Sequence, residues 1–237
     1  MMSVTAERFE TFGSSHLFAL AICGVGIVAI VLLGRRAQGN GVSRAFAVAI
    51  VLLTIPLQVL QLLPGEWDPR TSLPLQLCDF AWMFAVHALW TRSRLSATVT
   101  YLWGITLTTQ AMITPDLASD FPEPRYLMFW AMHVLIVWAA FHLVFGLRIL
   151  PTWATYWTTV GITALWAGLM MVYNSVADTN YGYLNGKPAS ASILDLLGPW
   201  PMYVVLEIAL IVAVWALLTW PWARRTSHLQ TPVRELP

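Results

Sequence analysis

Long apolar stretches separated by short polar segments dominate this chain. Their predicted bounds are 15–33, 44–63, 74–91, 96–115, 125–146, 151–173 and 198–220. As helices they would measure roughly 27–35 Å at about 1.5 Å per residue, close to the ~30 Å hydrocarbon core of a bilayer. The pattern predicts an all-α, polytopic membrane protein. We expect one seven-helix transmembrane domain over 1–222 and a polar, disordered cytoplasmic tail over 223–237.

Positive charge alternates between the segments that separate these stretches. Nine arginines fall on one predicted side: Arg35, Arg36, Arg44, Arg92, Arg94, Arg148, Arg224, Arg225 and Arg234. The other side holds Arg8, Arg70, Arg125 and Lys187 together with nine acids, Glu7, Glu10, Glu66, Asp68, Asp116, Asp120, Glu123, Asp178 and Asp195. Because cytoplasmic loops are rich in Lys and Arg, this predicts an N-out, C-in, multi-pass protein of the plasma membrane.

Composition supports the membrane assignment and excludes several other classes. Hydrophobic residues make up 58% of the chain and charged residues 11%, whereas about a quarter of a soluble domain is charged. The net charge of +1 gives no electrostatic basis for nucleic-acid binding. The two cysteines lie in different apolar stretches with no CxxC or metal-type spacing, so the sequence demands no disulfide, metal or organic cofactor.

The polar residues inside the apolar stretches gather toward the predicted outer face. They are Gln58, Gln61, Gln76, Cys78, Asp79, Gln110, His133, Asn174 and Glu207. Polar groups in hydrocarbon cost free energy unless they are partnered, so a one-sided cluster predicts a buried site in the outer half of the membrane.

Cys78 and His133 are the pair in this cluster best suited to chemistry. Counted from the predicted helix ends they lie about 6–8 Å and ~12 Å deep. A thiolate is a strong nucleophile, and a neighbouring imidazole can take the thiol proton. Asp79 lies ~100° around the helix from Cys78, where it could orient His133 or bind a backbone amide. The alternative for Cys78 is a small packing residue, and for Asp79 and Glu207 it is hydrogen bonding between helices.

Several segments resemble a known family. They are Phe12-Gly13-Ser14-Ser15-His16, the segment LPLQLCD at 73–79, Met132-His133, Asn180-Tyr181, and LGPWPMY at 197–203. They are similar to the YwaF-like integral membrane proteins, which include the animal transmembrane protein 164, and the likeness covers nearly the whole chain. The resemblance implies a seven-helix bundle. It also implies transfer of a fatty acyl group between phospholipids by a cysteine and a histidine, which match Cys78 and His133.

The leading hypothesis is therefore a membrane-embedded lipid acyltransferase that opens to the outer leaflet. Cys78 would attack an acyl ester, His133 would act as general base, and Asp79 would orient the histidine. Gln76, Gln110 or Asn174 would stabilise the oxyanion. We also expect Asn180, Tyr181 and Glu207 to contact the substrate, a membrane lipid acting as acyl donor or acceptor. Water as acceptor would make the protein a lipid hydrolase.

Two other classes of function remain open on the sequence. The first is a small-solute or proton-coupled transporter that uses Asp79 and Glu207. The second is a non-catalytic membrane scaffold or sensor that uses the predicted outer loop 174–197 as a contact surface. A dead-end outer cavity favours the enzyme, a through-path favours the transporter, and a fully packed core favours the scaffold.

Overall fold

The computed structural model describes residues 8–65, 67–188 and 192–228. Those residues form a bundle of α-helices with no strand beyond one isolated bridge between Arg8 and Ser119. The helices are α1 (Ser14–Arg36), α2 (Asn40–Gln61), α3 (Leu77–Thr91), α4 (Arg94–Trp103), α5 (Thr109–Ile113), α6 (Pro124–Phe141), α7 (Trp153–Ala177) and α8 (Met202–His228).

Two π-helical turns extend these helices. Gly104–Thr108 joins α4 to α5, so that 94–113 forms one continuous helix, and His142–Gly146 extends α6. Glycine at 104 permits close packing on α6, since a Cβ there would lie only 3.0 Å from the Cβ of Ala140. Each predicted apolar stretch therefore contains a helix, with bounds that differ by a few residues at most ends.

Among the described residues, five helices are long and apolar enough to cross a membrane. They are Ser14–Arg36, Asn40–Gln61, Pro124–Gly146, Trp153–Ala177 and Met202–Arg225. α3 is apolar but has only 15 residues. The protein is thus an all-helical membrane protein.

Two helix bounds differ from the sequence prediction in ways that matter. The third stretch becomes helical at Leu77 instead of residue 74, because Gln76 is extended and caps the helix. The last helix continues to His228, past the predicted end at 220, so 223–228 is helical. Trp222 supports this extension by donating from Nε1 to the Tyr101 hydroxyl at 3.1 Å. Residues 229–237, including Arg234, lie outside the described residues, as do Glu7 and Glu66.

Small residues let the helices pack closely. Ala81, Ala85 and Ala88 form a fully buried face of α3 within the main hydrophobic core. On α1, a Cβ at Gly26 would fall 2.0 Å from the Trp138 ring, so only glycine admits that indole. The Trp138 indole N–H then donates to the Cys23 carbonyl at 2.9 Å, which joins α1 to α6.

The two ends of the bundle differ in character. At one end, Arg92 bonds the carbonyls of Gln38 and Gly39 at 2.5 and 2.9 Å, and Arg35 bonds that of Phe145 at 3.3 Å. We call this the arginine-rich end. The opposite end is covered by the loop between α7 and α8, which contains the 3₁₀ turns Tyr181–Tyr183 and Ile193–Leu197. We call it the loop-covered end.

Candidate active site

A cavity of about 450 Å³ opens toward the loop-covered end, between α2, α3, α5, α6, α7 and α8. We call it the main cavity. Eight of the nine clustered polar residues line it: Gln58, Gln61, Gln76, Cys78, Asp79, Gln110, His133 and Glu207. Convergence of polar groups from five helical segments and the residue that caps α3 marks this cavity as the candidate site.

Cys78 lies in the first turn of α3. Gln76 is the N-cap, which makes Cys78 the second helical residue. Its side chain lies at the N-terminal end of α3 and lines the cavity. The Asp79 N–H donates to the Gln76 carbonyl at 3.0 Å, whereas the N–H groups of Leu77 and Cys78 have no carbonyl partner within the helix and carry the positive end of its dipole. They can therefore stabilise negative charge on the sulfur or on an adjacent oxygen.

His133 is held with one ring nitrogen facing the cavity. Its Nδ1 lies 2.7 Å from the Phe129 carbonyl oxygen, which can only accept, so the proton is on Nδ1 and Nε2 keeps its lone pair. Phe129 stacks on the imidazole with ring centroids 4.1 Å apart. Within the described chain, Nε2 has no hydrogen-bond partner and no hydrogen bond joins it to Cys78. The imidazole is thus preset as a base that faces the same cavity as the thiol.

Asp79 positions the start of α3. Its carboxylate accepts from the Gln76 backbone N–H at 2.9 Å and from Gln58 Nε2 at 2.9 Å. Of the two roles predicted for it, binding a backbone amide is the one in the structure, and no hydrogen bond joins it to His133 in the part that is described. Asp79 therefore acts on the site through the helix start that carries Cys78.

Three further polar side chains remain available to a substrate. Gln61, Gln110 and Glu207 line the cavity, and none makes a side-chain hydrogen bond to the described residues. Gln76 is already engaged, since its Oε1 accepts from the Gly182 N–H at 2.9 Å. Gln110 is thus better placed than Gln76 to stabilise a reacting group.

Asn174, Asn180 and Tyr181 do not line the main cavity, although the sequence predicted substrate contacts for them. The Asn174 amide donates to the Tyr181 carbonyl and accepts from the Tyr181 N–H at 2.9 and 2.8 Å. Asn180 donates to the Gly186 carbonyl at 2.8 Å, and the Tyr181 hydroxyl donates to the Pro69 carbonyl at 2.9 Å. These three residues hold the α7–α8 loop in place.

Sequence reasoning missed Tyr183 and Arg125, which line the cavity at the loop-covered end. The Tyr183 hydroxyl donates to Asp116 at 2.9 Å and thereby bridges two loops across the cavity. Burial, followed by the Asp116 carboxylate, raises the pKa of Tyr183, so the phenol stays protonated and can donate. The available signal in the sequence is Gly182, because glycine favours a turn and adopts a positive φ of 72° directly before Tyr183.

The donor set does not suit a metal. Among the residues that the structure describes, no three His, Cys, Asp or Glu side chains converge to hold an ion. The polar groups that converge on the cavity are the Cys78 thiol, the His133 imidazole, glutamine amides and the carboxylates of Asp79 and Glu207, which suit nucleophilic chemistry, proton transfer or hydrogen bonding.

Fold and site together define a class: an all-helical membrane protein whose bundle holds a cavity lined by a cysteine at a helix N-terminus and a buried histidine. The chain belongs to the TMEM164 family, whose family model matches residues 11–219. This confirms the family resemblance read from the sequence. Comparison with curated proteins and with solved structures finds no significant match.

Proposed function

We propose that the protein is a membrane-embedded acyltransferase that moves a fatty acyl group of a membrane lipid through a thioester on Cys78. The observation that carries the proposal is the shared cavity, with Cys78 in the first turn of α3 and His133 presenting Nε2. An activated nucleophile needs a base within reach, a helix N-terminus to stabilise charge, and space for the acyl group.

In the first half-reaction, the Cys78 sulfur attacks the ester carbonyl while His133 Nε2 takes the thiol proton. Attack and proton transfer occur together, because an isolated thiolate is costly in a largely apolar cavity. The oxyanion accepts hydrogen bonds from the first-turn N–H groups of α3 and from Gln110. The C–O bond then breaks, and the leaving alkoxide takes the proton from His133.

In the second half-reaction, the hydroxyl of an acceptor lipid attacks the thioester. His133 Nε2 removes the hydroxyl proton, a C–O bond forms, the C–S bond breaks, and the proton returns to the Cys78 sulfur. Water in the acceptor's place would give the free fatty acid, and the protein would act as a hydrolase.

The proposal includes seven membrane spans with the N-terminus outside and the C-terminus in the cytoplasm of the plasma membrane. The arginines that bond the Gln38 and Phe145 carbonyls lie at one end of the bundle, as the positive-inside rule requires of a cytoplasmic end. The main cavity then opens near the outer leaflet, where lipids can enter it.

Transport is the second candidate, because Glu207 faces the cavity with no hydrogen bond to the described chain. An unpartnered carboxylate suits a proton or a cation. The cavity residues lie toward the loop-covered end, whereas buried apolar side chains such as Leu89, Leu102 and Leu143 fill the bundle toward the arginine-rich end. A dead-end cavity of this kind favours the enzyme.

The test uses purified protein in lipid nanodiscs that contain a phospholipid with an isotope-labelled acyl chain. We expect a labelled thioester on Cys78 by intact mass, and transfer to an added lysolipid. Cys78→Ser should abolish the thioester, and His133→Ala should slow transfer by about 10²–10⁴-fold, the usual contribution of a general base.

Cys23→Ser is the matched control, since Cys23 is buried between α1 and α6 and lines neither cavity described here. It should leave transfer unchanged. Full acyl transfer by Cys78→Ser protein would overturn the proposal. Cation or proton flux that depends on Glu207 in the same nanodiscs would favour the transporter instead.

A further inference from the structure

A second, smaller pocket of about 120 Å³ lies beyond Cys78 and His133 as seen from the loop-covered end. We call it the inner pocket. It is lined by Leu77, Cys78, Ala81, Trp103, Leu107, Thr108, Ala111 and His133, five of which also line the main cavity. Ala81, Trp103 and Thr108 line only the inner pocket, so it points toward the middle of the bundle.

The lining becomes less polar from the main cavity to the inner pocket. Apart from the thiol, the imidazole and the Thr108 hydroxyl, the inner pocket is lined by apolar side chains. The opposite rim of the main cavity presents Asp116, Ser119 and Arg125 near the loops. A molecule bound across both spaces is therefore apolar on the inner side of the thiol and polar on the outer side.

We propose that the inner pocket binds the acyl segment next to the reacting carbonyl, and that Trp103 forms the floor that limits its length. This inference rests on the acyl transfer proposed above. The carbonyl carbon would be bonded to the Cys78 sulfur, so the first chain carbons would lie beside Leu77 and Ala81. The alcohol part of the ester would remain in the main cavity.

The floor is rigid. Trp103 is 1% exposed, its indole N–H donates to Thr163 Oγ1 at 3.0 Å, and Phe84 packs edge-on at 5.5 Å between ring centroids. An engineered apolar cavity of ~150 Å³ holds benzene and stays dry, so the inner pocket has room for about five or six carbon atoms. A longer chain has to turn back at Leu107 and Ala111, whose side chains line both spaces.

The test measures how Cys78 reacts with alkyl methanethiosulfonates of increasing chain length, from methyl to decyl. Each reaction forms a Cys78–S–S–alkyl disulfide and releases methanesulfinate, so it needs no acyl transfer. The rate for Cys78 is measured in Cys23→Ser protein. It is divided by the rate for a lipid-facing reference cysteine, which is introduced as Leu165→Cys in protein that also carries Cys23→Ser and Cys78→Ala. Leu165 is 66% exposed on α7, so this ratio removes partitioning of the reagents into the membrane.

We expect the corrected rate to rise up to about fourfold per methylene as far as pentyl or hexyl, and to level off beyond. Ala81→Leu fills the inner pocket and should reduce the hexyl rate to the methyl rate. Ala167→Leu is the matched control, because Ala167 lines only the main cavity, and it should keep the wild-type profile. Should Ala81→Leu not fold, Thr108→Ile provides the same test, because Thr108 also lines the inner pocket and not the main cavity.

A flat wild-type profile, or a profile that Ala81→Leu leaves unchanged, would overturn the inner pocket as an acyl site. The experiments distinguish failure of the inner-pocket proposal from failure of the acyltransferase proposal. Absence of any acyl thioester, combined with an intact preference for hexyl, would overturn the acyltransferase and leave the alkyl-binding pocket standing.

Discussion

The two cysteines of this chain differ in what surrounds the thiol. Cys23 lies in the middle of α1, where it is 6% exposed among apolar side chains and its carbonyl accepts the Trp138 indole N–H. Cys78 has the N–H groups of a helix start on one side and a cavity on the other. Burial opposes charge on both sulfurs, but only Cys78 shares a cavity with a base, His133, that can take its proton during attack.

Asp79 holds the start of α3, which carries Cys78, through its hydrogen bonds to the Gln76 N–H and to Gln58. Its substitution gives a prediction at the residue scale. Asp79→Asn replaces one acceptor oxygen by a donor that faces either the Gln76 N–H or the Gln58 amide. The loss of a hydrogen bond to a buried charged group costs about 1.5–3 kcal/mol. We expect a lower thermal midpoint in detergent, and slower labelling of Cys78 by N-ethylmaleimide at temperatures where the variant is folded.

Gln61→Leu is the control for this experiment, because Gln61 lines the same cavity without a hydrogen bond to the described residues. It should leave both the midpoint and the labelling rate unchanged. An Asp79→Asn midpoint equal to that of wild type would contradict the role assigned to the carboxylate.

At the scale of the elements, the lengths of the apolar stretches were enough to predict a helix in each of them, because a helix that crosses the bilayer needs about 20 mostly apolar residues. Gln58, Asp79 and His133 could likewise be expected to meet, because polar groups in an apolar bundle must find one another. The start of α3 could not be read in the same way. Pro74 and Gln76 made a helix-start cap at Gln76 an alternative to a helix that begins at residue 74, and the extended backbone of Gln76 shows that the cap is what forms.

The loop contacts show a different limit on prediction. Asn174 and Tyr181 are residue types that often bind ligands, yet here Asn174 bonds the backbone of Tyr181 and thereby holds the loop. Tyr183 and Asp116 are 67 residues apart in two irregular segments. No periodicity relates such positions, so neither their contact nor their place on the cavity wall follows from the sequence.

The α7–α8 loop gives a prediction at this scale. Asn174→Ala removes two donors and leaves the buried Tyr181 N–H without its acceptor, which costs about 1–3 kcal/mol for each unsatisfied buried group. We expect hydrogen exchange at Tyr181 and Gly182 to speed up by at least about tenfold, given that 1.4 kcal/mol corresponds to a factor of ten.

Thr158, on the surface of α7, provides the control for Asn174→Ala. Thr158 bonds only the Ala154 carbonyl within α7, so Thr158→Ala should leave exchange in the loop as it is in wild type. Unchanged exchange in Asn174→Ala protein would mean that the Asn174 amide does not hold the loop.

At the scale of the whole molecule, the chemical character of the bundle changes from one end to the other. Arginines gather at one end, the loops cover the other, and the cavity narrows from a polar rim to an apolar inner pocket between them. A phospholipid in the adjacent leaflet has the same polarity along its length. The cavity therefore matches a phospholipid of the leaflet at the loop-covered end, which is the outer leaflet in the orientation proposed from the positive-inside rule.

The two ends of α2 allow this orientation to be tested with one matched pair. Gly39 and Gly65 flank the helix, and a Cβ added at either would meet nothing within 4 Å, so cysteine is tolerated equally at both. In a Cys23→Ser, Cys78→Ser background, Gly65→Cys should react with a membrane-impermeant maleimide in intact cells. Gly39→Cys lies beside Arg92 at the arginine-rich end and should react only after permeabilisation. The reverse pattern would invert the topology and place the cavity in the inner leaflet, whereas reaction of both in intact cells would mean that α2 does not cross the membrane.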